Sequence, residues 1–189
     1  MVITSVSIYG ASMILLYTMS CLYHAFTNMR VKKVFQIFDH VSIYLLIAGT
    51  YTPYCLVNLG GAFGWTMFGI IWGLAALGIT IYSVFGNKMR KISSITYILM
   101  GWLVLVAFIP LKNALPKFSF SMLIWGGLIY TVGFAFYSAK NVKWAHSIFH
   151  LFVIAGSVLH FFSVFFPGSK NFILISEIIY LFKLQYFAF

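Results

Sequence analysis

The sequence predicts an all-α fold, a polytopic bundle of transmembrane helices, and three observations carry that expectation. Of its 189 residues 62% are hydrophobic and 7% charged, with a mean hydropathy of +1.00, whereas soluble domains carry about 25% charged residues. The apolar residues fall into runs of about 20, the length a helix needs to cross a bilayer. The cations gather in short clusters between those runs, as topology signals and lipid anchors do. Twelve Lys plus Arg stand against one Asp and one Glu. In a soluble chain that balance would suggest nucleic acid. Here it points to membrane lipids as partners, no nucleic acid, and no protein partner or oligomeric state that the sequence specifies.

Six spans are clear, at residues 4–26, 34–57, 64–85, 92–111, 119–138 and 145–166. A further apolar piece at 172–189, interrupted by Glu177 and Lys183, is expected as a short seventh span or an interfacial helix. The length suits one bundle over residues 1–166 followed by a divergent apolar tail at 167–189. Pro167 and Gly168 punctuate the boundary. The opening residues MVITSVSIYG lack a charged n-region, so no cleavable leader is expected. Cys21 and Cys55 both lie inside apolar runs and imply no disulfide framework.

The cations orient the spans. Loops 27–33, 86–91 and 139–144 carry three, three and two Lys or Arg, against Lys112, Lys117 and Lys170 on the other side. The positive-inside rule therefore places the first set in the cytoplasm. On that map Ser20 and His24 lie at the inner end of the first span, four residues apart and on one face. Asp39 lies a little over a turn into the second span. His146 and His150 occupy the first two turns of the sixth, also on one face. At 1.5 Å per residue all five fall within roughly 3–11 Å of the inner ends of their helices.

Three neutral imidazoles, from His24, His146 and His150, would make a three-nitrogen Zn2+ site with a fourth position for water, the ligand pattern of a catalytic zinc. Asp39, the single Asp of the chain, could hold that water and accept its proton. Ser20 could orient a ligand or contact a substrate oxygen. Other readings stand beside these. The histidine pair alone is equally explained by hydrogen bonds to neighbouring helices, and Asp39 by pairing with Arg30, Lys32 or Lys33. His40 points about 100° away from Asp39 around the helix and reads as structural. His160, ten residues beyond His150 and about 15 Å along the axis, belongs to the outer half. Cys21 reads as a buried apolar thiol.

The pieces SIYGASMILLYTMSCLYHAF, FQIFDHVSIYLLIAGTYTPYCL, GWTMFGIIWGLAALGI, YILMGWLV, GGLIYTVGFAFY and HSIFHLFVIAGSVLHFFSV resemble the hemolysin III family. That family is grouped with the adiponectin and progestin (PAQR) receptors and, more distantly, the alkaline ceramidases. The Ser-x3-His, Asp and His-x3-His pieces appear in order and in the expected spans, over about residues 3–165. The resemblance implies a seven-helix membrane protein of bacterial plasma-membrane type with an inner-leaflet zinc. Its metal-binding histidines map to His24, His146 and His150, with Asp39 on the zinc-bound water and Ser20 as the motif serine. It also implies membrane hydrolase activity, and its name records cytolysis. Two departures from the family pattern are a first span that precedes residue 4 in family members and a tail from Pro167 that matches nothing in the pattern. Three functions therefore compete: hydrolysis of a lipid amide or ester, cytolytic pore formation, and lipid sensing around a structural zinc.

Overall fold

Twenty-four residues without Lys, Arg, Asp, Glu or Pro open the chain after Met1, and in the computed structural model they form helix α1, Val2–Ala25. The structure describes residues 1–138 and 144–166, apart from the His146 side chain. Three residues later Asn28 caps α2, Met29–Pro53, its side-chain oxygen accepting from the Arg30 and Val31 backbone N–H groups at 3.0 and 3.4 Å. The cap satisfies two of the donors that a helix start leaves open. It also starts α2 five residues before the expected span. Arg30, Lys32 and Lys33 thus sit on the helix instead of in a loop, with Arg30 and Lys33 exposed.

The pairing of α1 with α2 shows where the membrane-spanning contact begins. The Phe26 and Phe35 rings meet at 4.8 Å, the Gln36 amide reaches the Tyr23 hydroxyl at 3.5 Å, and further in Gly49 closes on Ser12. These pairs run antiparallel at a constant offset, so α2 begins to face α1 near Val34, where the sequence sets the span's start. The preceding turn of α2 overhangs.

α2 closes on Pro53, which has no N–H to donate to the Gly49 carbonyl four residues earlier. The chain continues as a π-helical turn, Tyr54–Leu59, to Gly60 and Gly61, whose φ values of 59° and 53° suit glycine. Helix α3, Gly61–Phe85, follows, then a 3-10 turn, Gly86–Met89, then α4, Arg90–Trp102. The continuous helical run Gly61–Leu105 has 45 residues, about 68 Å if straight, twice what a bilayer core accommodates. It is not straight. Along α3, Trp72 donates to Thr52 Oγ1 at 3.1 Å, Gly78 abuts the Tyr44 ring, and Tyr82 stacks on His40 at 4.8 Å. Along α4 the order on α2 reverses: Tyr97 OH donates to the His40 carbonyl at 2.9 Å, Tyr44 meets Thr96 at 2.8 Å, and Tyr51 reaches Gly101 O at 2.7 Å. Both helices therefore pack on α2 in opposite directions, and the chain turns back at Gly86, where φ is 54°.

The fourth expected span, 92–111, is not one helix. α4 stops at Trp102, a 3-10 turn covers Leu103–Leu105, and a short α5 occupies Phe108–Ala114. Pro110 supplies the reason: in an unbroken helix its ring would clash with the Val106 carbonyl, four residues earlier. The break puts Pro110 in the first turn of α5, where no N–H is needed. Tyr51 donates to the carbonyls of Met100 and Gly101 at 3.0 and 2.7 Å, at the end of α4.

The chain divides into two compact units, Met1–Leu111 and Lys112–Phe189. In the second, α6, Lys117–Ser138, packs against α7, Ala145–Phe165. Glycines let their backbones approach: a Cβ on Gly126 would lie 2.7 Å from the His160 ring, and one on Gly133 2.6 Å from Phe152 Cβ. Small residues serve this purpose where lipid offers no hydrophobic drive to association. Tyr130 hydrogen-bonds Ser157 at 2.7 Å, and Ser163 donates to the Ser119 carbonyl at 2.6 Å. Residues 139–143 of the expected loop at 139–144, and the seventh piece at 172–189, lie outside the described residues. Among the described residues there is no strand, and five helical runs are long and apolar enough to cross a membrane. The fold is an all-α membrane helix bundle.

Candidate functional site

In the first unit the offset of α1 against α2 brings three of the expected site residues together. Ser20 lies one helical turn before His24, and both face α2 near its overhanging end. The Ser20 hydroxyl donates to the Asp39 carboxylate, and His24 lies within electrostatic reach of the same group. His24 Nδ1 is 2.9 Å from the Ser20 carbonyl oxygen. A carbonyl only accepts, so Nδ1 carries the hydrogen, and in the neutral ring the lone pair sits on Nε2. One residue thus orients both groups: the Ser20 carbonyl sets the tautomer of His24, and its hydroxyl holds Asp39. A backbone carbonyl on one ring nitrogen is the usual way a metal-ligating histidine is prepared.

Asp39 is half-buried and has no ion pair with Arg30, Lys32 or Lys33 among the described residues. The Lys32 ammonium lies 5.5 Å above the Tyr23 ring instead, a cation–π arrangement. Asp39 therefore answers to Ser20 and His24, with His40 Nδ1 3.8 Å away. His40 itself is buried, places Nδ1 2.9 Å from the Gln36 carbonyl and stacks flat on Tyr82. It has a packing role, as its direction around the helix leads one to expect.

In the second unit His150 lies half-exposed in the second turn of α7, beside Phe149. His146 is in the first turn of the same helix, and its side chain is outside the described residues. Trp144, with φ 68°, precedes α7, and its carbonyl accepts the Ile148 N–H at 2.9 Å. His160 is buried in the α6–α7 seam, stacked on Tyr130 at 5.4 Å, and its Nδ1 has no hydrogen-bond partner among the described residues. Among the described residues, which leave out the His146 side chain, no three His, Cys, Asp or Glu side chains form a group able to hold a metal ion. Cys21 is exposed, against the buried position expected for it, while Cys55 is buried.

Gln36 is the residue that sequence reasoning passed over. It lies one turn before Asp39 and contacts three partners, Tyr23, Asn87 and, through its carbonyl, His40. Its spacing from Asp39 and His40, three and four residues, was the available signal.

Several apolar helices, a half-buried carboxylate held by serine in an apolar span, and a histidine with a fixed tautomer beside it define an integral membrane protein with a polar site at one end of its first helix pair. Comparison with known proteins agrees. A profile of the family described as "Haemolysin-III related" matches residues 2–161, and the chain belongs to the haemolysin III family. It is 46% identical over 164 residues to "Hemolysin-3" of Bacillus cereus, covering 87% of this chain and 75% of that protein. It is 43% identical over 168 residues to "Hemolysin-3 homolog" of Bacillus subtilis (strain 168), covering 89% and 79%. A more distant relative, "Monocyte to macrophage differentiation factor" of Homo sapiens, is 27% identical over 163 residues, covering 83% and 67%. No solved structure matches.

Proposed function

We propose that this protein is a zinc-dependent membrane hydrolase that cleaves an amide or ester bond of a lipid at the cytoplasmic leaflet of a bacterial-type plasma membrane. The observation that carries this reading is Ser20 serving two groups at once, its carbonyl fixing His24 and its hydroxyl holding Asp39. His24, His146 and His150 are the residues that would hold the zinc, because three neutral imidazoles are the donor set of a catalytic zinc. Zinc in such a site supplies Lewis acidity, which activates water and polarises a carbonyl.

The chain's own groups do the rest. Asp39 accepts a proton from the attacking water and returns it to the leaving amine or alkoxide, as a general base and acid must. Ser20 keeps the carboxylate aimed by donating to one oxygen, leaving the other for that proton. Segments 27–33, 86–91 and 139–144 face the cytoplasm in this reading. Single cysteines placed there, with Cys21 and Cys55 removed, should resist a membrane-impermeant thiol reagent in intact cells, and ready labelling would reverse the orientation.

Asp39→Asn tests the chemistry. The amide keeps the shape and an accepting oxygen but takes no proton. Lipid turnover across ceramide and phospholipid-ester substrates should fall by at least about a hundredfold while bound zinc is retained. Full turnover would remove the general-base role, and equal loss of zinc and turnover would make Asp39 a ligand.

A second reading follows from the names of the Bacillus relatives, which point to lysis. A pore needs a continuous polar lining. Between His150 and His160, α7 reads LFVIAGSVL, and its one hydroxyl, Ser157, is engaged by Tyr130. That favours hydrolysis over pore formation, and over a lipid sensor only through the Ser20–His24–Asp39 arrangement.

A further inference from the structure

Two basic segments far apart in sequence, 30–33 and 88–91, are joined in the first unit by a ladder of side-chain hydrogen bonds. The Gln36 amide donates to Tyr23 OH at 3.5 Å, the Asn87 amide donates to Gln36 Oε1 at 3.0 Å, and Tyr82 OH donates to Asn87 Oδ1 at 3.4 Å. The end of α1, the first turns of α2 and the Gly86–Met89 turn therefore form one polar surface. Arg30, Lys33, Lys88, Arg90 and Lys91 are exposed around it. The one carboxylate among the described residues, Asp39, is engaged one turn deeper by Ser20 and His24, so among the described residues no acidic side chain balances Arg30, Lys33, Lys88 and Lys91. Like charges held together on one surface repel unless an anion joins them.

The surroundings say which anion. Met29, Val34, Phe38, Phe85 and Ile92 are 48–68% exposed beside the cations. A soluble anion or an acidic peptide has no use for such a border. A lipid does, because its phosphate lies at the level of the cations and its acyl chains run down the apolar side chains next to them. We propose that this surface binds the phosphate of an anionic phospholipid in the leaflet at that end of the bundle. The site stands independently of the hydrolase reading, because it needs neither zinc nor turnover.

The test is native mass spectrometry of the purified full chain in detergent, titrated with phosphatidylglycerol or phosphatidylcholine of matched acyl chains. Phosphatidylglycerol should bind at least about tenfold more tightly, and Arg30→Gln/Lys33→Gln and Lys88→Gln/Lys91→Gln should each weaken it by about fivefold per cation removed. Asn87→Ala, which keeps every charge but cuts the ladder, should also lower the preference. Lys112→Gln/Lys117→Gln, on the second unit, should leave it unchanged. Monodispersity and thermal midpoint identify any variant that fails to fold, and the other double variant then decides. Undiminished preference in the folded double variants overturns the site, as does equal loss in Lys112→Gln/Lys117→Gln. Displacement of the lipid by inorganic phosphate at equal concentration overturns the assignment to a lipid.

Discussion

The α1–α2 pair and the α6–α7 pair are both antiparallel helix pairs made for a bilayer, yet they handle polar side chains in opposite ways. In the first pair each imidazole is tied to a carbonyl of its own helix, His24 to Ser20 and His40 to Gln36, and the carboxylate is tied across to the facing helix. In the second, the seam is built from glycine against aromatic rings, and His160 stacks on Tyr130 with Nδ1 unpartnered among the described residues. An unsatisfied polar atom away from water costs about 1–3 kcal/mol by mutational measure. The first pair is arranged to keep charge and proton-bearing groups in defined states. The second is arranged for close backbone contact, and its buried imidazole contributes mainly ring surface.

Substitutions can break or sharpen that contrast. The largest effect is expected at Gly133. The side chain of Gly133→Val must enter space that Phe152 already fills, since a Cβ at this position would lie 2.6 Å from Phe152 Cβ. Overpacking of this kind costs about 1–3 kcal/mol, read as a lowered thermal midpoint in detergent. An unchanged midpoint would mean that the two backbones are not held that close. A smaller and more discriminating pair is His160→Phe against His40→Phe. Phenylalanine keeps the stack in both places. At His160 it removes an unpartnered nitrogen, so stability should hold or rise by up to about 1 kcal/mol, while at His40 it removes a bonded one and should cost about that much. Equal losses at both positions would erase the distinction drawn between the two pairs.

Much of this can be read from the sequence, for physical reasons that can be named. Helix is the one local solution for a long apolar segment in lipid that is not part of a closed barrel, so the spans at 4–26, 119–138 and 145–166 match the helices to within two or three residues at each end. The fourth span reads as continuous because hydropathy does not register Pro110, whose effect is on the Val106 carbonyl and not on transfer free energy. The start of α2 reads late because Arg30, Lys32 and Lys33 look like loop, whereas Asn28 caps a helix that carries them outward. At the site, spacing alone puts Ser20 and His24 on one face. It does not show that Ser20 reaches Asp39, because that depends on the offset between α1 and α2, set by contacts such as Phe26 with Phe35 and Ser12 with Gly49. The ladder through Gln36 and Asn87 joins residues 51 positions apart, a separation over which no local pattern speaks.

The proposed function is tested most directly at His24, His146 and His150, the residues proposed to hold zinc. Zinc analysis of the purified full chain by inductively coupled plasma mass spectrometry tests it without reference to any substrate. The account gives about one zinc per chain for a three-nitrogen site, with each of His24→Ala, His146→Ala and His150→Ala, folded by thermal midpoint, losing most of it. His160→Ala, in the α6–α7 seam, should keep it. Stoichiometric zinc in all three folded variants, or equal loss in His160→Ala, would contradict the account.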